Sequence, residues 1–120
     1  MPDTPVIDMQ AVENLRALNP GDNDEFLREL VGIYLEDTPV RIAELETGLA
    51  AGDAEKVVRA AHSIKGSSAN LGAAALRRVA EHLEHNARKN GLTNLGEEID
   101  RVKAEFARIQ QEFARLLPLA

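Results

Sequence analysis

A chain of 120 residues is long enough for one domain with a real core; its residues are 44% hydrophobic, with three Phe and one Tyr, so Leu, Val, Ile and Ala must fill that core. The formal net charge of −6 argues against nucleic acid and against an anionic membrane surface as partners, since each calls for a basic face. With no cysteine, disulfides, thiol catalysis and thiolate metal sites are excluded.

Residues 1–7 read as an N-terminal tail. Pro2 and Pro5 discourage regular structure there, and the stretch has neither the basic region nor the apolar run of a signal peptide. No segment approaches ~18 consecutive apolar residues, so no membrane insertion is expected and the cytosol is the default compartment. A short first helix is predicted over residues 8–18, capped by Asp8, with Val12, Leu15 and Leu18 turned inward. Asn19-Pro20-Gly21 breaks it.

Asp22, with Glu25 three residues on, resembles a capping box opening a second helix. Its inward line is Leu27, Leu30, Tyr34, Thr38, Ile42, Leu45 and Leu49, a period that survives Pro39 and so predicts a kinked or restarted helix. Gly52 ends it, and Asp53 caps the third.

The third helix carries the line Val57, Ala61, Ile64, Ser68, Leu71, in steps of 4, 3, 4 and 3. Turning ~100° per residue puts His62 roughly 140° from the centre of that line, on the open side. Lys65 and Gly66 lie beside it at i+3 and i+4, and Val58, Ala69 and Ala73 share its outward stripe. A mid-helix glycine costs about 1 kcal/mol against alanine and asks for a reason; here it clears room for another molecule's backbone. Ser67 and Ser68 offer hydroxyls, Ser68 on the buried line and bonding within its own helix. Gly72 is a stop or a close-packing point. A fourth helix over about 74–89 turns Leu76, Val79, Ala80, Leu83 and Ala87 inward, and Asn90-Gly91 terminates it. The last, over about 94–117, has Leu95, Ile99, Val102, Phe106, Ile109, Phe113 and Leu116 inward, and Pro118 closes it before a tail of residues 118–120. The acidic runs at 22–25 and 97–100 suit helix starts. His82 and His85, beside Glu81 and Glu84, lack a His-Glu-x-x-His spacing and read as a solvated polar face.

Short connections between long amphipathic helices predict an all-α fold: an up-down-up-down antiparallel four-helix bundle with a short additional N-terminal helix, monomeric, its domain spanning residues 8–117. On this fold His62 is an imidazole with a cation on one side and open space on the other, suited to receiving a phosphoryl group while a second protein docks.

His62-Ser63-Ile64-Lys65-Gly66-Ser67, followed by Gly72, matches His-x-x-Lys-Gly-Ser-x-x-x-x-Gly throughout and resembles the signature of histidine-containing phosphotransfer domains, the carriers of multistep two-component phosphorelays. The resemblance covers about residues 8–117. It implies that His62 is the phosphorylated residue, attacking through Nε2, that Lys65 balances phosphoryl charge, that Gly66 lets a receiver domain approach, and that Ser67 and Gly72 shape the helix and its neighbour; Val58, Gly66, Ser67, Ala69, Gly72, Ala73 and Arg88 make up the expected docking face. It places Glu84, 22 residues after the histidine, on the other ring nitrogen, with Arg88 one turn on pairing with Glu84 or reaching the phosphate. The partners implied are response-regulator receiver domains and a hybrid sensor histidine kinase; the chain has no cofactor of its own, and Mg²⁺ comes with the receiver. Lys65-Gly66-Ser67 lacks the upstream glycine and strand of a P-loop, so a carrier rather than an enzyme is expected. Met1 and the end at Ala120 point to a free-standing chain, with a segment of a hybrid kinase as the alternative. A structural adaptor without the chemistry is the competing function, and an exposed His62 beside Lys65 and Glu84 discriminates against it.

Overall fold

The computed structural model describes residues 4–117, and the closing tail with Pro118 lies outside them. Among the described residues five helices follow one another: α1 (Met9–Leu18), α2 (Glu25–Ala51), α3 (Ala54–Leu71), α4 (Ala74–Asn90) and α5 (Gly96–Leu116). The last four form a ring in which α2 packs on α3, α3 on α4, α4 on α5 and α5 back on α2, while α1 lies against α3 and α2. Two-residue links join α2 to α3 and α3 to α4, and such short links leave successive helices antiparallel. This is the up-down-up-down bundle with its short leading helix.

The helix starts show why the chain breaks where it does. Asp8 accepts the Gln10 N–H and Asp53 the Lys56 N–H, each satisfying a donor that the first turn leaves unpaired. At the start of α2 the capping box is one-sided. The Asp22 carboxylate takes the N–H groups of Asp24 and Phe26 across a turn in which Asn23 and Asp24 have positive φ, while Asp24 turns its own carboxylate to Arg16. Pro39 neither splits α2 nor restarts it. It sits on the solvent side of one continuous 27-residue helix, where its ring and missing N–H disturb no packed neighbour.

Burial follows the 3.6-residue period with local shifts. In α2, Val31 and Gly48 are buried where Leu30 and Leu49 stand half out, and in α4 Val79 is half-buried. Leu18, at the last turn of α1, is exposed, because α1 touches the bundle through Val12 and Leu15 and runs past its edge. Leu117 rather than Leu116 is buried at the end of α5, where the chain leaves the helix. Ser68 bonds across the bundle, its Oγ 2.8 Å from the Tyr34 hydroxyl, instead of to its own helix. Tyr34 meets Phe106 and Phe113 edge to face, and burial pushes its phenol up to about 12.

Gly72 ends α3 with φ +76°, and its carbonyl accepts the Asp8 N–H at 2.6 Å, tying α1 to the α3–α4 corner. A Cβ there would stand 2.7 Å from the Asp8 carbonyl oxygen and 3.0 Å from the Ala11 Cβ. Gly72→Ala is therefore expected to cost about 2–3 kcal/mol, from the left-handed backbone plus the clash, read as a lowered urea midpoint.

Candidate functional site

The site is built across the α3–α4 interface. The buried line of α3 leaves His62 on the outside, its side chain 63% exposed. On α4, Glu84 falls four residues after Ala80 and three before Ala87, in line with the apolar face, and its side chain is only 8% exposed. The two meet: His62 Nδ1 is 3.1 Å from Glu84 Oε2. A carboxylate can only accept, so the proton sits on Nδ1 and the lone pair on Nε2 faces out.

Two cations complete the cluster. Lys65 Nζ lies 2.8 Å from Glu84 Oε1, and Arg88, one turn along α4, donates from Nη2 and Nε to the same Oε2 that holds His62. Burial alone would raise the Glu84 carboxyl, but the hydrogen bonds from Lys65, Arg88 and His62 outweigh it and bring it from 4.5 down to about 2. Glu84 is thus an anion at any working pH, a fixed anchor for three donors.

That shift has a stability consequence. A carboxyl whose folded value is depressed stabilises the fold fully above its unfolded value and ceases to do so as pH falls through the folded one. Glu84→Gln is expected to lower stability at neutral pH by on the order of 2–3 kcal/mol. In urea titrations the gap to the parent protein should close as pH falls from about 4.5 to about 2.

The surroundings of His62 are only partly those the sequence suggested. Gly66 is exposed, with nothing within 4 Å of where a Cβ would stand, and Ala69 is exposed too. Val58 is half-buried against the core. Ser67 turns its hydroxyl back onto the carbonyls of Ser63 and Ile64, so it offers a partner little. Ala73 and Gly72 do not belong to the docking face. The left-handed turn at Gly72 sends the chain inward, leaving Gly72 buried under α1 and Ala73 fully buried at the start of α4. Helical extrapolation places Ala73 outside because it carries the α3 period past Leu71, two residues beyond the end of the helix. The Lys65-Gly66-Ser67 run lies inside a helix, without the strand and loop of a phosphate-cradling motif.

A second pair escaped the sequence reading. His82 Nδ1 is 2.8 Å from Glu98 Oε1, and Asn86 donates to Glu98 Oε2 at 2.9 Å. Glu98 belongs to the acidic run that opens α5, but its position three after Leu95 and four before Val102, on the apolar line, is the sequence signal of its burial.

A helical bundle presenting an exposed histidine, with one ring nitrogen held by a buried carboxylate and the other free, is the arrangement of a histidine-centred phosphotransfer domain. The Hpt domain model matches residues 29–112, and the chain belongs to that family. It is similar to multistep phosphorelay regulator 1 of Schizosaccharomyces pombe, 34% identical over 83 residues. That match takes in 69% of this chain and 28% of the yeast protein, so the chain spans little more than a quarter of its relative. Among solved structures, histidine-containing phosphotransfer protein B (HptB) from Pseudomonas aeruginosa PAO1 superimposes with a TM-score of 0.84 at 31% identity, covering 92% of this chain and 93% of that one. The HPT domain of a sensor hybrid histidine kinase from Shewanella shares the fold, with a TM-score of 0.74 at 16% identity, covering 93% of each chain. Among the described residues no helix is long and apolar enough to cross a membrane.

Proposed function

We propose that the chain is a phosphocarrier of a multistep phosphorelay, taking a phosphoryl group onto His62 from a receiver-domain aspartate and passing it to another receiver. The observation that carries this reading is the exposed Nε2 of His62, set outward by the Glu84 bond to Nδ1. In the forward step Nε2 forms a bond to phosphorus while the bond from phosphorus to the aspartyl oxygen breaks, its electron pair leaving with the aspartate carboxylate. The ring becomes a phosphoimidazolium that keeps its Nδ1 proton against Glu84, so the developing positive charge faces a fixed anion. Lys65, poised between Glu84 and solvent, neutralises the incoming phosphoryl charge, and Arg88 shares that task.

Glu84 Oε2 is taken by His62 and Arg88 and Oε1 stands 2.8 Å from the Lys65 ammonium; the Mg²⁺ of such a transfer would come with the receiver. A hybrid sensor histidine kinase is the source of the phosphoryl group upstream. The group at His62 is complete within one chain, which supports action as a monomer and as a carrier rather than an enzyme with a nucleotide of its own.

The test mixes an aspartyl-phosphorylated receiver with this protein and with His62→Gln, following acid-labile, base-stable phosphate on the chain. Label on the native protein and none on the variant supports the carrier. A native protein left unlabelled by several receivers, or a variant labelled equally well by them, would give the adaptor reading instead.

A further inference from the structure

His82 stands to Glu98 as His62 stands to Glu84. Its side chain is 62% exposed, its Nδ1 is held by a carboxylate whose side chain is 11% exposed, and that carboxylate is fixed in turn by a donor on α4, here Asn86. Positions 82 and 84 are ~200° apart on α4, so the two histidine–glutamate pairs occupy opposite flanks of one helix. His82 opens onto a groove of about 740 Å³ between α4 and α5, with Val79 and Ala104 supplying apolar wall. Three arginines line this groove. Arg77 is paired with Glu81, and Glu105 on the far wall with Arg108. Arg78 and Arg101 have no ion-pair partner among the described residues.

We propose that His82 is a second phosphoryl-accepting histidine, served by a small phosphoryl donor, an acyl phosphate or phosphoramidate, bound in the α4–α5 groove through Arg78 and Arg101. Nε2 is the free nitrogen. It forms the new bond to phosphorus as the bond from phosphorus to the leaving atom breaks, and the electron pair departs with the carboxylate or, from phosphoramidate, with ammonia. The Nδ1 proton stays in place, and Glu98 balances the charge acquired by the ring. Two unpaired guanidiniums suit a phosphoryl dianion better than a single cation does, because each offers a planar fork to its oxygens. A receiver domain fits this flank poorly: the rim is long charged side chains, not the open, small-residue surface around Gly66. The proposal does not depend on what His62 does.

His85 supplies an internal control, being exposed on the same groove without a hydrogen bond to any carboxylate among the described residues. The experiment treats His62→Gln protein with phosphoramidate and maps phosphohistidine by mass spectrometry against time. His82 is expected to label at least about tenfold faster than His85, the advantage shrinking severalfold in R78Q/R101Q on the same background. Glu98→Gln should slow His82 and leave His85 unchanged; should that variant unfold, the arginine pair and His82→Gln carry the comparison. Equal labelling of His82 and His85, labelling of His85 alone, or no label at all would overturn the proposal.

Discussion

Glu84→Ala should slow phosphoryl transfer from a phosphorylated receiver to His62 by on the order of 10²-fold, measured by rapid quench. The side chain contributes in three ways, all visible in the contacts of its two oxygens. It fixes the tautomer, so that Nε2 and not Nδ1 carries the lone pair. It holds the ring plane, which otherwise turns freely on a residue that is mostly exposed. It also absorbs the charge of Lys65, whose ammonium would otherwise face an imidazole becoming positive. Glu84→Gln separates these effects. An amide oxygen still accepts the Nδ1 proton, so orientation survives while the charge is lost, and the rate should fall between parent and alanine variant. Identical rates for all three proteins would remove Glu84 from the mechanism.

Gly66→Gln should raise stability and suppress transfer together. In the free protein nothing lies within 4 Å of a Cβ at this position, and the residue sits well inside α3. Glutamine is a far better helix former than glycine, so unfolding should become harder by about 0.5–1 kcal/mol. The glycine is therefore not there for the fold. One turn from His62, it leaves a gap in the surface that a docking backbone can enter, and filling it displaces the donor aspartate from the imidazole. Misplacement by about an ångström costs on the order of 10²-fold in rate, which is the loss expected with a receiver as donor. Labelling of His62 by phosphoramidate, which needs no docking surface, should be unchanged. A variant that is more stable and transfers as well as the parent would show that the receiver does not approach over Gly66.

The bundle was legible because each helix writes its buried face as steps of three and four, and because Asp8, Asp53, Gly52 and Gly72 mark ends that the backbone needs. What the period could not supply was the behaviour of residues just past an end. Ala73 follows α3 by two residues, yet the positive φ at Gly72 turns it from the outward stripe into the core. Leu18 failed for the opposite reason, since a helix can be amphipathic to its last turn and still overhang what it packs on. In the site, His62, Lys65 and Gly66 were legible from one helix alone. Glu84 was not: its offset of 22 residues means something only once two helices are known to lie side by side, although a glutamate in an apolar line already signals a buried partner. The same signal at Glu98 was masked by neighbouring acids that do sit in solvent, and only the packing of α4 on α5 brings His82 to it.

The central claim is chemical: Glu84 holds Nδ1, so phosphorus must arrive at Nε2. Loading the protein from a phosphorylated receiver and recording phosphorus-coupled ¹⁵N shifts of His62 reads the attachment directly. The account predicts a single species phosphorylated at Nε2 of His62, its Nδ1 proton retained in slow exchange. Phosphorus on Nδ1, or on a residue other than His62, would contradict it.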